Sequence, residues 1–180
     1  KRYGGQLDIE KVRLVTSEDH DEGFDPSDFH ERSRFDPDEM FTELTSIAEE
    51  QITHSSLKEL VLKILDRYQT HIKQMPAATR YHHAFAGGYL EHTLSVTRTS
   101  VYLAEKYGTY YPNASPPLDR SLIVAGAILH DIGKLRELAY DPEGSRYTAE
   151  GLLIGHILMG RDLVREMATS IEGLPEKMML

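Results

Sequence analysis

From residue 37 onward, apolar positions recur at the spacing of helices. Phe41, Leu44, Ile47, Ala48 and Ile52 fall on one helical face. Asp36-Pro37-Asp38-Glu39 precedes them, supplying a capping carboxylate, a first-turn proline and an acid at the third position. A second helix is predicted from about Ser56 to Lys73, with Leu57, Leu60, Val61, Ile64, Leu65, Tyr68 and Ile72 turned inward and Pro76 closing it. A third runs from about Tyr89 to Tyr107 and should stop at Gly108. A fourth begins near Pro117 or Leu118 and carries Leu-Ile-Val-Ala-Gly-Ala-Ile-Leu. That run alone would suit a buried strand, but helices flank it and nothing supplies a sheet to join. A fifth extends from about Thr148 to Ile171. The expected body is an all-α bundle without internal repeats.

The first residues break this pattern. In GGQLDIEKVRLV, Leu7 and Ile9 face one way and Val12 and Leu14 the other, as in a strand with a bulge. A lone strand leaves its backbone groups unpaired, so it should belong to an upstream β domain. The chain then divides into a residual strand (1–16), a linker (17–36) and a helical domain (37–180). At the far end Pro175 suits the first turn of another helix, yet the sequence stops in Met178-Met179-Leu180. The chain therefore reads as a piece of a longer protein.

Charge sharpens this division. Between Glu18 and Glu39 ten acids face two bases, whereas the other residues hold 19 acids and 18 bases. Eight of the nine net negative charges thus belong to one Pro- and Gly-containing segment, read as a solvated connector. It says nothing against a nucleic-acid partner for the near-neutral body. The sequence has no cysteine, which excludes disulfides and thiolate chemistry and fits a reducing compartment such as the cytoplasm. No apolar run approaches the roughly 18 residues of a membrane span, and no signal peptide is visible.

Candidate chemistry gathers in three places. The run Gly126–Lys134 contains His130-Asp131 at the end of an apolar helix that should be buried nearly all round. A buried carboxylate needs neutralising, and an imidazole–carboxylate pair suits Zn, Mn or Fe. Gly133 would permit a sharp exit, with Lys134 one turn away. A capping Asp beside a satisfied core His explains the same pair. His156 lies in GLLIGHILMG with Leu152, Met159 and Leu163 as helical neighbours, and an imidazole on so apolar a face needs a partner. Gly155 and Gly160 would mark the close approach of another backbone or of a ligand. A core His bonded to a carbonyl remains the alternative. The third place is YHHAFAGGYLEHTLSV, with His82, His83 and, after Gly87-Gly88, His92.

Taken together, HHAFAGGYLEHTLSV, GAILHDIGK and TAEGLLIGHILMG resemble the HD-domain metal-dependent phosphohydrolases, and more narrowly the YhaM-type bacterial 3′-5′ exoribonucleases. The likeness spans nearly the whole chain. It implies an HD-domain helical bundle after an oligonucleotide-binding (OB) β-barrel, of which residues 1–16 would be the last strand. It implies metal ligands at His92, His130, Asp131 and His156, with Asp131 and Lys134 catalytic and Lys134 on the substrate phosphate. His82 and His83 match motif positions for which a substrate contact or a loop-packing role is open. The cofactor implied is one or two divalent ions, Mn foremost, with Mg, Fe, Co, Ni or Zn as alternatives. Single-stranded RNA or a nucleotide is the implied partner, no membrane is involved, and self-association is left open. The family continues with a paired-His segment and a last metal-binding Asp beyond this sequence, so the chain alone is not expected to be a competent enzyme. Rival readings are a phosphohydrolase of small or cyclic nucleotides, and a non-catalytic nucleic-acid-binding module.

Overall fold

The computed structural model describes residues 10–24, 31–141 and 144–175. Its helices are α1 (Ser17–Asp21), α2 (Pro37–Gln51), α3 (Ser55–Gln74), α4 (Gly88–Tyr110), α5 (Arg120–Leu129), α6 (Lys134–Glu137), α7 (Ala149–Ile154) and α8 (His156–Ala168). Between α6 and α7 lie two short strands, β1 (Leu138–Asp141) and β2 (Gly144–Tyr147), paired antiparallel with Leu138 opposite Tyr147. The molecule is thus mostly helical, with a small two-stranded sheet that the apolar pattern does not announce.

Helix α2 starts where the sequence predicts. The Asp36 carboxylate accepts from the backbone N–H groups of Asp38 and Glu39, and Pro37 occupies the first turn. Its inner stripe, Phe41, Leu44, Ala48 and Ile52, packs on Leu57, Leu60, Val61, Ile64, Leu65 and Ile72 of α3. Tyr89, Leu90 and Leu94 of α4, Val124 and Ile128 of α5, and Leu163 and Met167 of α8 complete one continuous core. Fully burying such a side chain is worth about 1.5–3 kcal/mol, so this core fixes where each helix end points.

Several expectations need correction. Helix α4 runs through Gly108 to Tyr110; that glycine is exposed with open space around its Cα, and no left-handed cap forms there. Helix α5 is not buried all round, because Leu122 and Gly126 face solvent while Val124, Ala125 and Ile128 face the core. The predicted fifth helix is two. The chain turns at Gly155, where φ is +78°, and α8 sets off in a new direction. Residues 10–16 contain no strand, and residues 1–9 of the expected OB strand lie outside the described residues. Within the acidic segment, Asp19 accepts from the backbone N–H of Thr16 and pairs with Arg13, which starts the short α1. No helix among the described residues is long and apolar enough to cross a membrane.

Candidate metal centre

The C-terminal end of α5, the turn after it, the first turns of α4 and the start of α8 converge on one carboxylate. Asp131 is buried, and its two oxygens face different partners. Oδ2 lies 3.5 Å from His92 Nε2, 3.2 Å from His130 Nε2 and 2.8 Å from Lys134 Nζ. Oδ1 lies 3.5 Å from His156 Nε2. The four residues singled out as ligands, and Lys134, are therefore brought together from three separated stretches of sequence.

The outer partners of the histidines set which nitrogen is available. His130 Nδ1 is 2.9 Å from the carbonyl of Ala127, so it carries a proton and donates it, and Nε2 is the nitrogen turned toward Asp131. His156 does the same toward Glu137, whose Oε1 is 3.0 Å from Nδ1 and also accepts, at 3.0 Å, from the His156 backbone N–H. Glu137 is itself buried. In both cases Nδ1 is held from outside and Nε2 is the nitrogen turned toward Asp131.

Electrostatics keep the carboxylate ionised. Burial pushes the Asp131 carboxyl up, but hydrogen bonds from His130 and Lys134, together with their charge, hold it well below the usual carboxylate range. Burial lowers His92, with Asp131 opposing and His130 and Lys134 reinforcing the fall, so this imidazole favours its neutral form. His130 is raised, chiefly by its hydrogen bond to Asp131 and against its burial. A metal ion would have to displace that proton before using the nitrogen.

The donor spacing fits a metal. His92 Nε2 and His130 Nε2 are 3.3 Å apart and each is within 3.5 Å of Asp131 Oδ2. Three donors about 2.1 Å from one ion lie roughly 3.0–3.4 Å from each other in octahedral or tetrahedral geometry, so the triangle needs little adjustment. Nitrogen and carboxylate donors of this kind serve divalent ions of the first transition row.

Most of these residues fall in a segment that a family model describes, as residues 89–175 match the HD domain model. This segment is an HD domain. The chain is similar to the 3′-5′ exoribonuclease YhaM of Listeria monocytogenes (serotype 4b, strain CLIP80459), with 35% identity over 170 residues, 93% of this chain and 50% of that protein. It is likewise similar to the proteins of that name from Listeria innocua, 34% identical over 175 residues (96% and 52%), and Halalkalibacterium halodurans, 32% identical over 166 residues (92% and 48%). The chain spans about half the length of these relatives. No solved structure gives a significant match.

Within the HD domain two expectations change their physical reason. Gly133 has an ordinary φ of −65°, so it is not needed for a sharp turn. It is needed for proximity: a Cβ there would lie 1.9 Å from the carbonyl oxygen of His156 and 2.5 Å from the backbone nitrogen of Gly160. His156 does not sit on an apolar face either. The break at Gly155 sends Leu152 into solvent, and the imidazole opens α8 between Glu137 and Asp131. Glu137 is a site residue that the sequence pattern does not single out. An acid following so soon after the HDIGK run is the available signal, but its partner lies 19 residues away beyond two strands. His82 and His83 lie just before the HD domain, on the loop leading into α4, with their rings edge-on at 4.5 Å and that of His82 5.5 Å from His92.

Proposed function

We propose that the protein is a metal-dependent phosphohydrolase that cleaves the phosphodiester at the 3′ end of single-stranded RNA, with single-stranded DNA as a second substrate, releasing nucleoside 5′-monophosphates. The observation that carries this reading is the two-sided Asp131 carboxylate. Its Oδ2 joins His92 and His130, and its Oδ1 faces His156, as a carboxylate shared between two ion positions requires. The names of the relatives support the polymer substrate and its direction of degradation.

His92, His130 and Asp131 would hold one ion, and Asp131 with His156 a second. A divalent ion bound there lowers the pKa of a coordinated water and polarises a phosphoryl oxygen. The chain's own groups do the rest. Ala127 and Glu137 lock His130 and His156 as Nδ1–H tautomers, so neither ring needs to turn when a ligand arrives. Lys134 Nζ, 2.8 Å from Asp131, lies where it can swing a positive charge onto a non-bridging phosphate oxygen as negative charge builds. Its compact ammonium suits that task as a point charge.

The test is incubation of the full-length protein with Mn²⁺ and 5′-labelled single-stranded RNA. Shortening from the 3′ end that EDTA and Asp131→Asn both abolish is the expected outcome. RNA left intact with Mn²⁺, Co²⁺ and Mg²⁺, under conditions where a control exonuclease degrades it, would overturn the reading. Hydrolysis of small or cyclic nucleotides alongside intact RNA would replace it with the small-substrate alternative.

A further inference from the structure

Immediately beside the Asp131 centre is a second convergence of imidazoles that the proposed mechanism does not use. His82, His83 and His92 each present a ring nitrogen, and these three atoms lie within 4.8 Å of one another. His92 belongs also to the group formed with His130 and Asp131. The five donors do not all lie within that distance of one another, so His82 and His83 reach an ion on His92 when that ion sits on the loop side of this imidazole. We propose that His82 and His83 are metal ligands, adding imidazole nitrogens to the ion on His92 and making that ion a nitrogen-preferring transition metal (Fe, Co, Ni or Zn) rather than Mg. This inference rests on the Asp131 site being a metal centre. It departs from the substrate-contact role open to these two histidines and from Mn as the foremost ion.

The loop that carries them is built to hold this position. His83 and its neighbour Tyr81 take positive φ values of 53° and 67°, a conformation that costs a non-glycine residue of order 1–3 kcal/mol and persists only where surroundings impose it. Here they do. The His83 carbonyl accepts from the backbone N–H of Ala77 at 2.9 Å, and Gly88 fits beneath it, since a Cβ at residue 88 would lie 2.1 Å from that same oxygen. The ring is oriented too. His83 Nδ1 is buried with no hydrogen bond and faces Glu91 Oε1 at 3.7 Å. Glu91 is fixed in turn, because the Ser33 hydroxyl donates to its other oxygen at 2.6 Å. Ser33 is held by its backbone N–H, which donates to the Ala86 carbonyl at 2.9 Å. The Glu91 carboxylate stands on the Nδ1 side of the ring, beyond hydrogen-bond reach, and leaves Nε2 as the nitrogen free to bind. Packing alone would explain rings in contact. It does not explain an imidazole held in strained backbone beside two others.

A nitrogen-rich set selects among metals. Imidazole suits Fe, Co, Ni and Zn, whereas Mg prefers an all-oxygen environment that keeps its waters. The experiment measures Co²⁺ and Mg²⁺ binding to the whole protein by calorimetry and follows the visible absorption of bound Co²⁺, with no substrate present. Wild type should take up Co²⁺ far more tightly than Mg²⁺. His82→Gln/His83→Gln should weaken Co²⁺ binding about tenfold or more and alter the Co²⁺ spectrum. Its helical circular dichroism and its melting in EDTA should match wild type. If the double variant does not fold, His82→Gln alone carries the test, because that side chain is exposed. Wild-type affinity and spectrum in whichever variant folds would overturn the assignment, as would equal affinity of wild type for Mg²⁺ and Co²⁺. A protein that loads Co²⁺ through this loop yet leaves RNA intact would overturn the nuclease reading and leave the ligand assignment standing.

Discussion

Gly133→Ala puts the geometry under the most direct strain. The added Cβ would sit 1.9 Å from the His156 carbonyl oxygen and 2.5 Å from the Gly160 nitrogen. Both are backbone atoms, so no side chain can swing aside. A tolerable carbon–oxygen contact is about 3 Å or more, so the start of α8 must retreat by roughly 1 Å. Overpacking of this kind costs about 1–3 kcal/mol, and the upper half of that range applies where backbone must move. For a chain of this size that is a fall of roughly 4–12 °C in melting temperature. The same retreat carries His156 Nε2 away from Asp131 Oδ1, now 3.5 Å distant. A misplacement of about 1 Å at a reacting centre can cost a hundredfold in rate. Gly160→Ala is the milder comparison: its Cβ would meet the Gly133 backbone nitrogen at 3.1 Å, a tight contact without the overlap that Gly133→Ala creates, so it should perturb α8 less. Thermal melting in EDTA and metal titration of both variants check the reasoning. If Gly133→Ala melts within about 1 °C of wild type and binds Co²⁺ equally well, the backbone contact is not what positions α8.

Three further outcomes follow from other parts of the molecule. Glu137→Ala orphans the backbone N–H and the Nδ1–H of His156, and should cost about 2–3 kcal/mol in stability and about 10–100-fold in metal affinity, with Glu137→Gln intermediate; chemical denaturation and calorimetry read the two effects. Asp119 caps α5 by accepting from the Leu122 N–H at 3.0 Å, so Asp119→Ala should lose about 1 kcal/mol at neutral pH. Burial pushes this carboxyl up, but the Leu122 N–H and His54 outweigh it and leave it below its ordinary value. Its stabilising contribution is therefore full above the unfolded carboxyl pKa of about 4 and lost as pH falls through the lower folded value. Wild type and Asp119→Ala should converge in stability in acid, and a gap that widens there would contradict the sign. Gly126 lies on the exposed side of α5, and a methyl added there would meet nothing within 4 Å, so Gly126→Ala should raise stability by about 0.5–1 kcal/mol, measurable as a higher denaturation midpoint.

Local signals account for what can be read from residue order alone. Asp36-Pro37 marks the start of α2 because both its cap and its proline act within one turn, and the stripe of α3 is legible because its burial is one-sided. The candidate site is legible in its members, since His92, His130, Asp131 and His156 each stand out against apolar surroundings. Its wiring is not. Glu137 reaches His156 across two strands, and Ser33 reaches Glu91 over 58 positions, so no periodicity connects either pair. The break between α7 and α8 is hidden for another reason: Leu152, Leu153, Ile154, Ile157 and Leu158 continue a helical apolar run, yet all five are exposed. The strands escape notice because four residues apiece give too short a pattern to outweigh the helices around them.

The start of α8 has one more consequence, and it concerns the order in which the protein forms. Gly155 has no side chain with which to cap the helix, so the acceptor for the first backbone N–H comes from Glu137. A helix of 13 residues without a local start signal is marginal by itself. Its first turn therefore cannot settle until α6 is in place, which makes the histidine-bearing turn a late step in folding and an early one in local opening. The His156 amide should accordingly exchange with solvent faster than amides in the middle of α3, and its protection is a direct reading of whether the centre is assembled.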